Sequence, residues 1–555
     1  MNVLTGQQTL PQVSFAAFPD YGQITRFCRA LAEARPHLCA LSSLGPSREG
    51  RDIPLLTLTD RDTGPAGDKP AYLLHAAIHG NEVAGIPLAL YTARQLLADH
   101  PERSDLLQRV AFHIVPVLNP DAAHLTATLS MPLRSRWDRA EKQPNTLYNE
   151  DINGDGMILR MRQPHPDGDH MQDPNEPRLV IPRRPNADEP FYRIWPEGFI
   201  HDFDGNVHNI RVEHHSLDWN RQWAHNWRPE PEQRGSGDFP FSEPEMRHLA
   251  EFLAAHTNLI GMVGYHTGAA SILRPPSAGS VRDMVGGDHR LHDEIGRLGV
   301  EATGFPMFAL SEGFGGAPAR NTFHGHSLSY AYYQLGLVAF EVELGDIFDS
   351  AGFGRAERAA CRNEDERIAL LREVMKWWDA QPEAEREPLW VDWQPFDHPQ
   401  LGRVEIGGFL VRHQYNQTLR CLKEIAPGLH QFCVHHASSA PRLVVEQCDV
   451  DEFGDGVRRI RISLANRGRL STSVTARGKA LRRMRTVRAS LRLNEGAALL
   501  SRNGHVDLGH IDGPDGIADV EWFVRVSPDV PAPGGSIGRV DIMGGAAGNL
   551  TLSLP

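Results

Sequence analysis

The 555-residue chain is poor in cysteine, and its six cysteines are scattered: Cys28, Cys39, Cys361, Cys421, Cys433 and Cys448. No two form a C-x-x-C pair, which excludes a disulfide framework or a thiolate metal site as the organising feature. They read as small buried apolar residues. No apolar run approaches the length needed to cross a bilayer, so no membrane partner is expected. Basic charge is also short. A formal net charge of −13 lacks the footprint of a nucleic-acid binder. The opening MNVLTGQQTLPQVSFAAFPDYG has neither a basic start nor an apolar centre, so it does not read as a secretion signal and a cytoplasmic location is expected. Internal repeats and low-complexity tracts are missing too.

What is present is ordinary for a globular protein, 41% hydrophobic and 23% charged. The length exceeds that at which one core stops growing, so more than one unit is expected. From residue 20 to about 380, short apolar runs alternate with amphipathic segments, which predicts an α/β layer architecture. Residues 71–78, AYLLHAAI, read as a strand buried on both faces, followed after Glu82 by helical spacing. Residues 109–118 form the next strand, ending in the turn Asn119-Pro120-Asp121. Strands are also predicted at 258–265 and 337–344, and a closing helix at 364–380. Ser242 with Glu245 has the spacing of a capping box.

Three further stretches differ in character. Residues 140–215, rich in Pro, Asp, Asn, Gly and His, read as a long insertion, of the kind that is functional or disordered. After about 385, Leu419, Leu422, Ile425, Leu429 and Phe432 recur at helical spacing within a connecting segment, 386–440. From 441 to 555 alternating strands separated by Gly, Asp and Asn turns predict a small all-β sandwich, near the usual size of about 100 residues.

The chemistry begins with His79-Gly80-Asn81-Glu82 at the end of a buried strand. A His and a Glu three apart on a tight turn can face one point, and both suit zinc. Alone, the pair also fits a core histidine beside a solvated glutamate. His266 closes another apolar strand, and ligand sites in α/β sheets lie beyond the carboxyl ends of strands. Two histidines and one glutamate leave a zinc position open for water, as a catalytic site requires. Glu343 ends the apolar strand FEVELGD, where a carboxylate can take a proton from water acidified by zinc. Glu341 shares its face by strand alternation, so periodicity leaves the two open. In Asp218-Trp219-Asn220-Arg221 the arginine offers a planar fork for a carboxylate and Asn adds a donor; a surface salt bridge is the ordinary alternative.

Taken in order, His79-x-x-Glu82, Asn220-Arg221, Phe241-Ser242-Glu243-Pro244-Glu245, His266 and Phe340-x-x-Glu343 resemble the zinc carboxypeptidase family across residues 15–385. The resemblance implies an α/β/α sandwich around a mixed, mainly parallel eight-stranded sheet. It implies one Zn2+ on His79, Glu82 and His266, Glu343 as general base, and Asn220 with Arg221 as a clamp for the free carboxylate of a peptide. Leu328, in the segment Ser327–Gly336, stands where the family sets side-chain preference and implies a neutral pocket. A bacterial-type subgroup with a C-terminal β-sandwich is similar over 385–555, through Phe396–Gly402 and Asn466-Arg467-Gly468.

The chain departs from that pattern in two places. No tyrosine occurs at Asn321-Thr322-Phe323-His324, where the family carries a mobile one. Trp137 is followed by Asp138, which leaves Arg134, Arg136 and Arg139 as candidates for the arginine that polarises the scissile carbonyl. In the insertion, Asp151, Asn153 and Asp155 have the spacing that opens a calcium loop, which makes Ca2+ a candidate second ion. Arg162 stands where the closing Glu would be, and plain Asp/Asn/Gly turns, as at Asp202–Asn206, are the competing reading. Related folds resemble murein-peptide amidases and N-acyl amino-acid deacylases, which would keep the zinc and change the bond. A non-catalytic peptide-binding module is the remaining alternative, against which the intact His79, Glu82, His266 and Glu343 stand.

Overall fold

The apolar run at 71–76 lies at the centre of a sheet because both of its faces are covered. The computed structural model describes residues 9–102, 104–131, 133–135, 142–212, 217–313, 322–527 and 536–555. Eight strands form the main sheet: β1 Cys39–Pro46, β2 Asp52–Leu58, β3 Ala71–Ala76, β4 Ala111–Val115, β5 Leu259–His266, β6 Ser271–Arg274, β7 Met307–Ala309 and β8 Val338–Glu343. Their spatial order is β1-β2-β4-β3-β5-β8-β6-β7. The central run β4-β3-β5-β8 is parallel. The outer pairs β1-β2, β2-β4 and β8-β6 are antiparallel, and β6-β7 is parallel, so the sheet is mixed.

Every residue of β3, β5 and β8 is buried, as helices on both sides of a parallel sheet require. Tyr21–Ala34 and Pro244–Ala255 pack near β1, whereas Gly85–Asp99 and Asp288–Thr303 flank Leu419–Ser438. The result is the expected α/β/α sandwich. Three parallel strands thus end side by side, and His79, His266 and Glu343 all lie at those ends.

The segment expected to connect, 386–440, is instead folded into the first unit. Helix Leu419–Ser438 buries Leu419, Leu422, Leu429 and Phe432 in the main core. Strands Trp390–His398 and Gly402–Phe409 join Arg160–Pro164, His170–Asp173, Glu176–Pro182 and Phe191–Pro196 in a six-stranded sheet. The insertion is therefore strand-forming, with a further three-stranded sheet at Thr146–Asn149, Gly198–His201 and Arg211–Val212. A part-buried ion pair joins the two distant stretches: Arg162 Nε lies 2.6 Å from Glu405 Oε2, and its guanidinium lies over the rings of Tyr192 and Trp393.

The capping box at 242–245 is not formed. Glu243 is the N-cap of Pro244–Ala255 without a side-chain cap bond. Glu245 is buried, with Oε1 accepting from the Arg48 amide at 2.7 Å and Oε2 without a partner. Burial pushes its carboxyl up to about 7. Because the folded value lies above the unfolded one, this group's stabilisation is present at low pH and is lost as pH rises from about 4.5 to about 7. Glu245→Gln keeps the acceptor and removes the charge. Relative to the parent, the variant is expected to gain up to about 1.4 kcal/mol per pH unit across that window. Urea denaturation at pH 5 and pH 8 checks this; equal differences at both would refute it.

Residues 443–554 form two four-stranded antiparallel sheets around Ile460, Ile462, Leu464, Val487, Trp522 and Val540. This is the all-β unit expected there. It docks on the first unit through Asp288, whose carboxylate accepts from the amides of Ala476 and Arg477 at 2.9 Å each. Among the described residues, no helix is long and apolar enough to cross a membrane.

Candidate metal centre

The turn after β3 is tight. Gly80 packs so closely on the helix Pro120–Leu129 that a Cβ there would sit 2.1 Å from that of Ala122. The chain therefore turns at Gly80 and presents His79 and Glu82 together. His79 Nδ1 lies 3.0 Å from Glu82 Oε1, and His266 Nδ1 lies 3.1 Å from Glu82 Oε2. All three side chains are buried. One ligand atom from each can be chosen so that the three lie within 4.8 Å of one another.

The outer faces of the rings are turned to carboxylates, with a hydrogen bond at His79 and a looser approach at His266. His79 Nε2 lies 2.9 Å from Asp218 Oδ1, and His266 Nε2 lies 3.4 Å from Glu341 Oε1. Such partners fix ring orientation and leave the other nitrogen free to ligate. Burial works against charge on Glu82, but His79 and His266 hold its carboxyl well below the usual range. Burial likewise opposes a charged His266 ring, while Glu341 and Glu82 raise it well above its ordinary value. Two imidazoles and a carboxylate are a zinc donor set with room for a further ligand, so the residues present fit the metal.

Glu343 pairs in register with His266 across β5 and β8. Its Oε2 is buried with no hydrogen-bond partner and faces Gly268, where a Cβ would stand 3.1 Å away. Burial pushes its carboxyl well above the carboxylate range; His266 opposes this, and Glu82 and Glu341 add to it. A divalent cation among the ligands would draw that field the other way. Glu341, by contrast, is fully engaged. It accepts from Asn220 Nδ2 at 2.9 Å and from the Ser327 hydroxyl, and it lies 3.4 Å from His326 Nε2. Of the two carboxylates that strand alternation leaves open, Glu343 is the one with a free oxygen.

The expected substrate contacts fare unevenly. Asn220 is only 2% exposed, with Nδ2 on Glu341 and Oδ1 accepting from the Ser327 amide at 2.9 Å. Both ends of its amide are thus engaged within the protein, directly behind Arg221. Arg221 lies over the Phe323 ring and donates to the Asn220 carbonyl at 2.7 Å. Leu328 is fully buried in the main core. Arg139 and Arg136 lie outside the described residues. Arg134 reaches the site: Nη1 donates to Glu82 at 2.9 Å and Nη2 to Asp218 at 2.9 Å. Nε also donates to Asp218 at 3.2 Å, so each guanidinium nitrogen faces a carboxylate, while the side chain as a whole is 37% exposed.

Sequence reasoning left no role for Asp218, His326 or Ser327. The signal for Asp218 was its place two residues before Asn220, in a turn where it caps the Asn220 amide. Nothing in the sequence marks His326 and Ser327. At the acidic turn, Asp151 accepts from the amides of Gly154 and Gly156, Asn153 from that of Asp155, and Asp155 from that of Met157. These oxygens are turned onto their own loop, which is the plain-turn arrangement, and the calcium expectation gains nothing from it.

Comparison with known proteins bears on the same stretch. The zinc carboxypeptidase family matches residues 24–355, and a domain of unknown function matches 442–540. Carboxypeptidase B of Astacus astacus is 29% identical over 117 residues, 21% of this chain and 37% of that protein. Carboxypeptidase Z of Homo sapiens is 31% identical over 112 residues, 20% of this chain and 17% of that protein. The chain thus spans well under half the length of these curated relatives. Among solved structures, carboxypeptidase A from Helicoverpa armigera is similar at 18% identity and a TM-score of 0.42, covering 67% of this chain and 75% of that one. The family match takes in more than half of the residues, with His79, Glu82, His266 and Glu343 all inside it, and on that ground the chain belongs to the zinc carboxypeptidase family.

Proposed function

We propose that the protein is a zinc metallocarboxypeptidase that hydrolyses the C-terminal peptide bond of a peptide substrate with a free carboxylate. The observation that carries this is the free, buried oxygen of Glu343 beside a convergent His79–Glu82–His266 donor set. Zinc held by those residues would supply a Lewis acid able to polarise a carbonyl and acidify water. Glu343 Oε2 takes a proton from the attacking water and returns it to the departing nitrogen. Arg134, braced by Asp218 and Glu82 beside the donor set, stabilises the carbonyl oxygen as charge develops there. Arg221 supplies the two-pronged donor for the substrate carboxylate, and Asn220 holds the backbone from which it projects.

Arg221→Ala tests the carboxylate clamp. It is expected to lower kcat/KM by about 10–100-fold on peptides with a free C-terminus, the loss of a charge-assisted pair worth about 1.5–3 kcal/mol. C-terminally amidated peptides are expected to be hydrolysed slowly by parent and variant alike. An equal fractional loss on both substrate types would contradict the clamp.

The inward-facing Asn220 favours a second reading, because it leaves Arg221 as the one clamp residue among those described that could meet a carboxylate. On that reading the same zinc site serves a murein-peptide amidase or an N-acyl amino-acid deacylase. Product analysis on unmodified peptides, muropeptides and N-acyl amino acids separates the three.

A further inference from the structure

The family match ends at residue 355, yet the turn that carries His79 and Glu82 is tied to a side chain far beyond it. Asn416 is completely buried in the segment before helix Leu419–Ser438. Its Oδ1 accepts from the Ala84 amide at 2.8 Å. Its Nδ2 donates to the Asn81 carbonyl at 2.8 Å and to the Arg412 carbonyl at 2.6 Å. Asn81 and Ala84 bracket Glu82, so one amide grips the main chain on both sides of a metal ligand.

That turn depends on outside partners. Helix Gly85–Asp99 begins with no side-chain cap from its own N-cap residue, and the Ala84 N–H is one of the orphan donors of such an end. In a buried place it needs an acceptor, which Asn416 provides from 332 positions away. Ala77, where the turn leaves β3, has a φ of +52°, a left-handed value that costs a non-glycine residue free energy. The Asn416 post is itself anchored: the Arg412 amide donates to Ser130 Oγ at 3.3 Å and the Thr418 amide to Ser350 Oγ at 3.0 Å.

We infer that Asn416 is a positioning residue for the metal, holding the backbone at 81 and 84 so that the His79 ring and the Glu82 carboxylate meet at one point. This rests on the zinc reading above. The residue touches neither substrate nor metal and acts only through the turn. It also gives the segment after 355 a function in the site, beyond covering the core.

The test uses the full-length chain as parent, Asn416→Ala and Asn416→Asp, with zinc affinity measured by competition against a chromophoric chelator. Aspartate keeps the acceptor for Ala84 but sets an oxygen against the Asn81 carbonyl, so both variants lose the donor half of the splint. Both are expected to bind zinc about 10–100-fold more weakly than the parent, the usual loss when a partner behind a ligand is removed. Affinities within twofold of the parent, whatever happens to the melting temperature of the metal-free protein, would overturn the inference. Should the variants not fold, hydrogen exchange on the parent decides: adding zinc is expected to slow exchange in peptides covering 79–86 and 411–418 together. Protection at 79–86 with none at 411–418 would overturn it. A parent chain that binds no zinc at all would instead overturn the metal reading, which distinguishes the two failures.

Discussion

Glutamine in place of Glu343 is expected to leave one zinc per chain while turnover falls by about 10²–10⁴-fold. The two halves of that expectation come from different observations. Glu343 is not in the group whose ligand atoms converge, so its loss removes no metal donor. Its Oε2 is buried and unpartnered, so the carboxylate is not satisfied by any structural bond that glutamine would break. Glutamine has nearly the same shape but cannot take a proton from water. Glu341 offers no substitute, because its oxygens are occupied by Asn220, Ser327 and the neighbouring rings. Turnover and zinc content measured on the same preparation check both halves. Near-parental turnover would move the base elsewhere, and loss of zinc would make Glu343 a ligand.

His266→Ala is expected to lose the metal itself. The change removes one of three donors, a larger effect than the roughly 10–100-fold that follows loss of a partner behind a ligand. It also leaves Glu82 and Glu341, both buried, without the ring that lies between them. Removing one partner from buried charges typically costs about 3–5 kcal/mol. The metal-free variant is therefore expected to melt below the metal-free parent as well as to bind little zinc. Zinc content by elemental analysis, alongside circular dichroism to confirm folding, checks this. Unchanged stoichiometry in a folded variant would take His266 out of the site.

His79, Glu82 and His266 were legible as a candidate donor set because they lie at or just beyond the ends of short apolar strands, and parallel strands place their carboxyl ends together. Register did what periodicity could not: it set His266 opposite Glu343. Strand alternation put Glu341 and Glu343 on one face, and only the packed neighbours separate an occupied carboxylate from a free one. The surroundings of Asn220 and Leu328 were out of reach for a related reason. A motif carries residue identity and spacing, but the direction of a side chain is set by what surrounds it, and both turn inward.

The insertion was illegible because its strands are short and the pairing that ties its sheet to the rest is remote. Arg160–Pro164 pairs with Gly402–Phe409, a contact no local window contains. Strand propensity depends heavily on such neighbours. The same holds for Asn416, an unremarkable residue in sequence whose role exists only through bonds to main chain 332 and 335 positions away. A shift of pattern after about 385 suggested a boundary, yet helix Leu419–Ser438 lies in the main core.

The central claim is that one divalent ion sits between His79, Glu82 and His266. Crystals of the parent protein grown with zinc, with diffraction recorded above and below the zinc absorption edge, test it most directly. The account predicts a single strong anomalous peak bounded by the two Nδ1 atoms and the Glu82 carboxylate. A peak on other residues, or none there at full zinc occupancy elsewhere, would contradict it.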